Sequence, residues 1–487
     1  MISKCRGAAA LAACTLLACN ALVRADGLYD ESNGPNPESQ PRENPYYLSL
    51  DTQPNTAPAS APASQPGVDP DRRDQTPAPI DSPPFPMTDW TGPDPEVGFH
   101  DTFTPGALAN LLKGTSLGNW LDDLRIRPYG WIDIGGNYSS SKHDNSPVSY
   151  DLVPNSVQLD QIVLRLERFV DTYQTDHIDW GFRWTMLYGT DYRYTIGKGY
   201  IDSQVFKHNE LYGGDPTVEA FGEIYFPNVV DGLLVKIGRY ISPADIEAQL
   251  APQNYLFTHS LMFTVDPYTY TGVNTHWKLN KNWTIELGVD FGNDMAPWVD
   301  SASLNGLGMV RYTTDDGNNG IYGGVNAIGE GKYQRGHDDL QQAVVTWGHR
   351  FDDRFHMQME LYYMWMYHAL TGSDVITGPS QPFAPSGPGT PIKGRADEWG
   401  YTCYLEYKID NATYVTFRPG FLDDMKGQRT GFKTFYTDFT LGISHNFTPW
   451  LTMRPEIRYD RSYQVAAFDA GLRKNQYSAA MDIIISF

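Results

Sequence analysis

The feature that most constrains this chain is a period of two, held over long segments. From about Arg125 onward, apolar and polar residues alternate. Tyr477, Ala479, Met481, Ile483, Ile485 and Phe487 fall on one face, with Ser478, Ala480, Asp482 and Ser486 opposite and Ile484 out of step. Leu451, Met453, Ile457 and Tyr459 stand against Thr452, Arg454, Glu456, Arg458 and Asp460, and Phe435, Phe439, Leu441, Ile443 and Phe447 against Asp438, Thr440, Ser444 and Asn446. Trp283, Ile285, Leu287, Val289 and Phe291 alternate with Thr284, Glu286 and Asp290. Successive side chains of a strand point to opposite faces, so each segment predicts a strand with one apolar and one polar side. Runs of about 9–11 residues suit strands that cross a bilayer; soluble sheets typically use about 5–6.

The connections sort by length. Short ones at 171–175, 227–230, 279–282, 314–319, 352–353, 410–411 and 448–449 alternate with long ones at about 139–156, 189–216, 241–270, 292–304, 329–338, 368–394, 422–431 and 462–474. A soluble sandwich or propeller has no reason to segregate loops in this way. An outer-membrane barrel does, with tight periplasmic turns and longer external loops. Tyr, Trp and Phe, 31, 12 and 22 in number, cluster near strand ends as interfacial girdles require. The expected fold is all-β: a transmembrane antiparallel β-barrel of about 16 strands over residues 119–487, with both ends on the periplasmic side. Phe487, an aromatic closing the last alternating strand, suits an assembly signal for the outer-membrane barrel machinery.

The first 25 residues hold the one long apolar run. Lys4 and Arg6 precede a mostly apolar stretch from Ala8 to Val23, and Val23-Arg24-Ala25 offers an A-x-A-like cleavage point, as in a secretory signal peptide. Leu16-Leu17-Ala18-Cys19 leaves a lipoprotein cleavage open as the alternative. Cleavage after Ala25 would leave Cys403 as the last of four cysteines, with no disulfide partner. Residues 26–118 are rich in Pro, Asp, Ser, Asn and Gln, without apolar periodicity up to about residue 102. They are expected to form a disordered periplasmic linker, ending in a short helix at 107–113.

Net charge is −21, and no basic stripe is available to phosphates, so nucleic acid is excluded as a partner. The segments divide as +3 in residues 1–25, −10 in 26–118 and −14 in the barrel. Inward strand positions carry both signs: Arg183, Lys236, Arg418, Arg454 and Arg458 with Glu286, Asp290, Asp438 and Glu456 are expected to line the lumen. Charges facing lipid would cost roughly 2–4 kcal/mol near the midplane; facing a watery pore they cost little. Many could equally be struts between neighbouring strands.

The loop after the fifth strand is the most informative. Ser242 can cap, Pro243 suits the first helical position and Asp245 the first turn, predicting a helix that Pro252 stops. A loop of this length with Tyr255, Leu256, Phe257 and Tyr268 is too apolar to wave in water. Folded inward, it would bring Asp245, Glu247 and Gln249 to a constriction; packed on the rim, it would not.

Catalytic and metal signatures are missing. The 11 His form no metal-spaced cluster, and neither G-x-S-x-G nor a P-loop occurs. No cofactor and no metal are expected. Asp315-Asp316-Gly317-Asn318-Asn319 reads as a turn, because the later Glu of a calcium loop is missing.

Three blocks carry a family resemblance. They are Gly118-Asn119-Trp120-Leu121-Asp122-Asp123-Leu124-Arg125-Ile126 with Tyr129-Gly130-Trp131-Ile132-Asp133, then Asp179-Trp180-Gly181-Phe182-Arg183 with Leu187-Tyr188-Gly189-Thr190-Asp191, then Gly238 through Pro243 and Glu247 to Asn254, His259-Ser260, Pro267 and Thr271-Gly272-Val273. In that order they resemble the outer-membrane β-barrel porins of the OmpL-like kind, from about residue 118 onward. Ala244 departs from the Gly that members usually carry before the acidic residue. The resemblance implies a porin-like role without a defined substrate. The expected function is passive diffusion of small hydrophilic solutes through a water-filled channel. The alternatives are a plugged structural or adhesive barrel touching the cell wall through its Pro-rich segment, and a hydrolase with a rim site. Expected partners are outer-membrane lipid, the assembly machinery, the solutes and other copies of the chain in a homo-oligomer.

Overall fold

The structure, a computed structural model, describes residues 97–98, 106–148, 150–195, 197–200, 211–243, 245–300, 302–329, 340–371 and 390–487. The expected export segment, the lipobox, most of the Pro-rich stretch and much of the 329–338 and 368–394 loops lie outside these residues.

Alternation is realised as sixteen strands: β1 (Ile126–Ser139), β2 (Val157–Arg168), β3 (Asp179–Gly189), β4 (Gly213–Phe226), β5 (Leu233–Ile241), β6 (Thr269–Lys278), β7 (Trp283–Asp290), β8 (Asn305–Thr313), β9 (Asn319–Ile328), β10 (Gln341–Arg350), β11 (Phe355–Met366), β12 (Ala396–Lys408), β13 (Thr413–Asp424), β14 (Thr434–Thr448), β15 (Leu451–Ser462) and β16 (Asn475–Ser486). Each pairs with its sequence neighbours, and β1 pairs antiparallel with β16 from Trp131↔Ser486 to Ser139↔Ser478, closing the barrel. Closure leaves no strand edge with unpaired backbone groups. The last residue extends the seam: Phe487 and Gly130 exchange both backbone hydrogen bonds, at 2.8 and 3.0 Å.

Two helices, α1 (Ala107–Leu112) and α2 (Ser116–Asp123), precede β1. Thr115 caps α2 by accepting from Gly118 N at 3.0 Å. The block 118–126, read above as the opening of the barrel, is mostly this helix. No helix among the described residues is long and apolar enough to cross a membrane; the long apolar faces are those of strands.

Outward positions are large and apolar: Trp180, Ile237, Leu287, Ile457 and Tyr477 all remain more than half exposed. Aromatic pairs mark both ends of this band. Trp283–Tyr312 and Phe351–Phe355 meet at the short-turn end; Trp399–Phe421, Phe435–Tyr463 and Tyr459–Tyr477 meet at the long-loop end. This is the girdled apolar belt of a barrel embedded in lipid.

Two departures from strict alternation position the interior. The β1–β2 register shifts between Asp133 and Ile134, so Asp160 is an extra residue. The bulge turns both Asp160 and Gln161 inward, at 2% and 1% exposure. Ile484, the apolar residue on the polar face of β16, packs inside with Trp131, Val163, Leu187, Leu250 and Ala251.

Candidate functional site: a loop tied across the barrel

The connection between β5 and β6 turns into the barrel. Every described residue from Ser242 to Tyr268 is buried except Pro252 and Gln253, which are half-buried. Its base is pinned by Ser242, whose N donates to Tyr268 O at 3.0 Å and whose Oγ donates to Pro267 O at 2.7 Å.

The helix expected after Ser242 does not form. The chain bends instead, takes a 3-10 turn only over Ala251–Gln253, and makes one α turn, α3 (Leu261–Thr264), capped by Ser260 Oγ accepting from Phe263 N at 3.0 Å. Local capping signals lose because other partners claim the backbone groups. Ile246 N donates to Glu360 of β11 at 2.9 Å, and Ala251 N donates to Gln161 Oε1 at 3.1 Å. Gln249 O accepts from Gln161 Nε2 at 3.0 Å. Asn254 closes the bend on itself, accepting from Ala248 N at 2.8 Å and donating to Ala248 O and Leu250 O at 2.7 and 3.2 Å. Ala244 lies outside the described residues.

On the far wall, charged side chains grip the loop backbone. Arg454 donates to Ala251 O and Asn254 O at 2.8 and 2.6 Å. Arg418 donates to Thr258 O, and Arg458 to His259 O. Glu456 accepts from Phe257 N and Thr258 N at 3.0 and 3.2 Å. Arg429, in the loop after β13, donates to Val265 O at 2.7 Å. Hydrogen bonds with one charged partner contribute roughly 1.5–3 kcal/mol each, so this set makes the loop part of the wall. Shape adds to it. A Cβ on inward Gly135 would lie 2.3 Å from the Phe257 ring, and one on Gly442 2.5 Å from Leu256 Cδ2. The glycines are the notches that seat the loop.

The three expected constriction residues have different fates. Glu247, 2% exposed, accepts from Ser260 N at 2.8 Å and Tyr404 OH at 2.7 Å, with Arg418 at 3.3 Å. It joins the loop to itself and to β12 and β13. Gln249 donates to Tyr194 O at 2.8 Å. Asp245 lies beside Asp266 and Glu360. Burial, above all, and then the nearby arginines push the His259 imidazole well below its ordinary range, so it sits neutral with Nε2 2.7 Å from Ala248 O.

The nine residues expected to line the pore all lie on the buried face of their strands, and none exceeds 5% exposure. Each is packed close to the wall or to the inward loop. Arg418, Arg454, Arg458 and Glu456 hold the loop, and Asp438 lies 3.8 Å from Arg418. Elsewhere the partners come from nearby strands or from the adjoining turn. Arg183 bridges Glu167 and Glu219 at 2.5 and 3.3 Å, and Lys236 meets Glu223 at 3.3 Å. Glu286 accepts from Asn274 and Tyr322, and Asp290 from Gly292 N at 2.9 Å. Gln161, Tyr404 and Arg429 were not singled out from sequence. The legible clues were the inward glycines and Ile484, gaps in the polar face where something from the lumen must fit.

A closed barrel with an apolar exterior, a polar interior wall and one long loop tied inside is porin-like architecture. The chain belongs to the family described as "Putative beta-barrel porin-2, OmpL-like", whose model matches residues 125–487. A search of curated proteins finds no match. Among solved structures, the chain is similar to the anion-selective porin from Comamonas acidovorans, at 10% identity and a TM-score of 0.47, covering 74% of this chain and 99% of that one. It is also similar to the outer membrane channel DcaP of Acinetobacter baumannii, at 11% identity and a TM-score of 0.44, covering 74% and 97%. Likeness at this level carries no inference about function.

Proposed function

We propose that this protein is an outer-membrane channel for passive diffusion of small hydrophilic solutes, with the loop 242–268 setting the width of the passage. The observation that carries this reading is the division of the two barrel faces: large apolar residues outside, charged and amide residues inside, in a family of β-barrel porins. A lipid-embedded ring needs the first face, and a route for hydrophilic solutes needs the second. Asp245, Glu247 and Gln249 belong to the constricting loop; the inward charges set the field of the passage beside it. The same reading takes residues 1–25 as an export signal, residues 26–118 as a periplasmic linker, and other copies of the chain as partners in a homo-oligomer.

A second reading has its own support. The near-complete burial of the inward charges favours a filled barrel serving a structural or adhesive role. Swelling of proteoliposomes in sugars of graded size separates the two, once heat-modifiable gel migration has established that the barrel is folded. The channel reading expects swelling that falls as the sugar grows. A folded barrel that admits no solute would favour the structural role and contradict the channel.

A further inference from the structure

Three carboxylates meet where the loop touches β11. One oxygen each of Asp245, Asp266 and Glu360 lies within 4.8 Å of the others, and the side chains are 5%, 2% and 0% exposed. Asp245 and Asp266 come from the two ends of the inward loop, and Glu360 from the wall. The neighbouring cation is Arg429, which interacts with Asp266 while its guanidinium bonds Val265 O. With all three ionised, one guanidinium would leave most of the charge uncompensated, and buried charge without a partner is costly.

A second feature points to a ligand. Gln342 of β10, 1% exposed, lays its amide against the group, with Nε2 2.6 Å from Asp266 Oδ1. Its Oε1 has no hydrogen-bond partner, and neither has Glu360 Oε1, whose other oxygen accepts from Ile246 N. Two buried acceptor oxygens are thus left over beside a carboxylate cluster, where buried polar atoms are normally satisfied. The nitrogen and oxygen ends of an amide exchange by a half-turn, which would aim the Gln342 oxygen at the cluster.

We propose that Asp245, Asp266, Glu360 and Gln342 form a binding site for a divalent cation, Ca²⁺, that fastens both ends of the inward loop to the wall. All the donors are hard oxygens, which select Ca²⁺ or Mg²⁺ over softer metals. Ca²⁺ suits a buried site built from protein oxygens better: it takes such ligands at about 2.3–2.6 Å in flexible geometry, whereas Mg²⁺ dehydrates reluctantly and keeps several waters. Mg²⁺ demands a tighter octahedron, at about 2.0–2.1 Å. Burial, with Asp266 and Glu360 close by, also raises the Asp245 carboxyl well above its ordinary range, and burial pushes Asp266 up to about 7. Protons are therefore the competing way to neutralise the group.

This site stands independently of conduction, because its test reads binding alone. Full-length refolded protein, stripped with EGTA, is titrated calorimetrically with CaCl₂ and separately with MgCl₂ at neutral pH. The expected result is one Ca²⁺ per chain, with weaker Mg²⁺ binding. Affinity should fall at least about tenfold in Glu360→Gln and Asp266→Asn, since affinity follows ligand charge, and stay unchanged in Asp315→Asn, an exposed turn residue. Gln342→Ala removes a neutral ligand and is the variant to use where an acidic one does not fold; it too should bind more weakly. No Ca²⁺ binding by the folded wild type would overturn the proposal and leave protonation as the answer. So would binding that Glu360→Gln and Gln342→Ala leave unaltered.

Discussion

Two sectors of the barrel wall use the same inward charges differently. From β2 to β5 the ions pair between strands one or two apart in the wall: Arg165 with Glu219 at 2.6 Å, Arg183 with Glu167, Lys236 with Glu223, Arg239 with Asp215 at 2.9 Å. From β11 to β15 the charges reach inward and hold loop backbone, through Glu360, Arg418, Arg454, Glu456 and Arg458. The first set stiffens the cylinder. The second converts a loop into an internal partition. An alternating polar face thus specifies that a side chain points inward, and the object it meets decides whether it is a strut or an anchor.

The largest effects should come from removing one arginine in each sector. Arg418→Ala and Arg183→Ala each strand a buried carboxylate, and each should cost about 3–5 kcal/mol of stability, read from unfolding midpoints in detergent. Their conductances should part: Arg418→Ala releases Thr258 O and Glu247 and should change the single-channel step, while Arg183→Ala leaves it as in the wild type. Equal conductance responses would erase the distinction between anchor and strut.

Gly442→Val tests the notch. Its Cβ would overlap Leu256, so the loop must lift or the strand must shift, at about 1–3 kcal/mol for overpacking. Glycine-to-valine on the lipid-facing side, at Gly308, meets only Leu287 at 3.9 Å and should cost much less. Asn254→Ala is expected to be milder in its reach. It leaves Ala248 N without its partner, while the Ala248 and Leu250 carbonyls keep His259 Nε2 and Gln253 N; the loss is about 1–3 kcal/mol, and it should quicken amide exchange within 245–254 without altering the rest of the barrel.

Much of this was legible in the sequence, for physical reasons. Period-two alternation is a direct record of which side each residue faces, and all sixteen strands and the position of the inward loop after β5 follow from it. What could not be read locally was decided by distant partners. The helix signal at Ser242–Pro243 is sound in isolation, yet Glu360 and Gln161, separated in sequence by 114 and 90 residues from Ile246 and Ala251, claim the backbone donors. Gln161 itself faces inward because of a bulge, which breaks the alternation that would otherwise assign it. Glu456 and Arg454 were readable as inward charges, but their grip on Phe257 and Asn254 spans 199 and 200 residues. The Asp245, Asp266 and Glu360 group has no spacing that a motif could encode.

The claim at the centre is that the loop tied to β11–β15 sets the width of the passage. Its most direct test is single-channel conductance in planar bilayers, comparing the wild type with a chain lacking residues 245–252, both shown by gel migration to be folded. The account predicts stable ohmic steps from the wild type and larger steps from the shortened loop. Steps of equal size, or silence from both folded barrels, would contradict it.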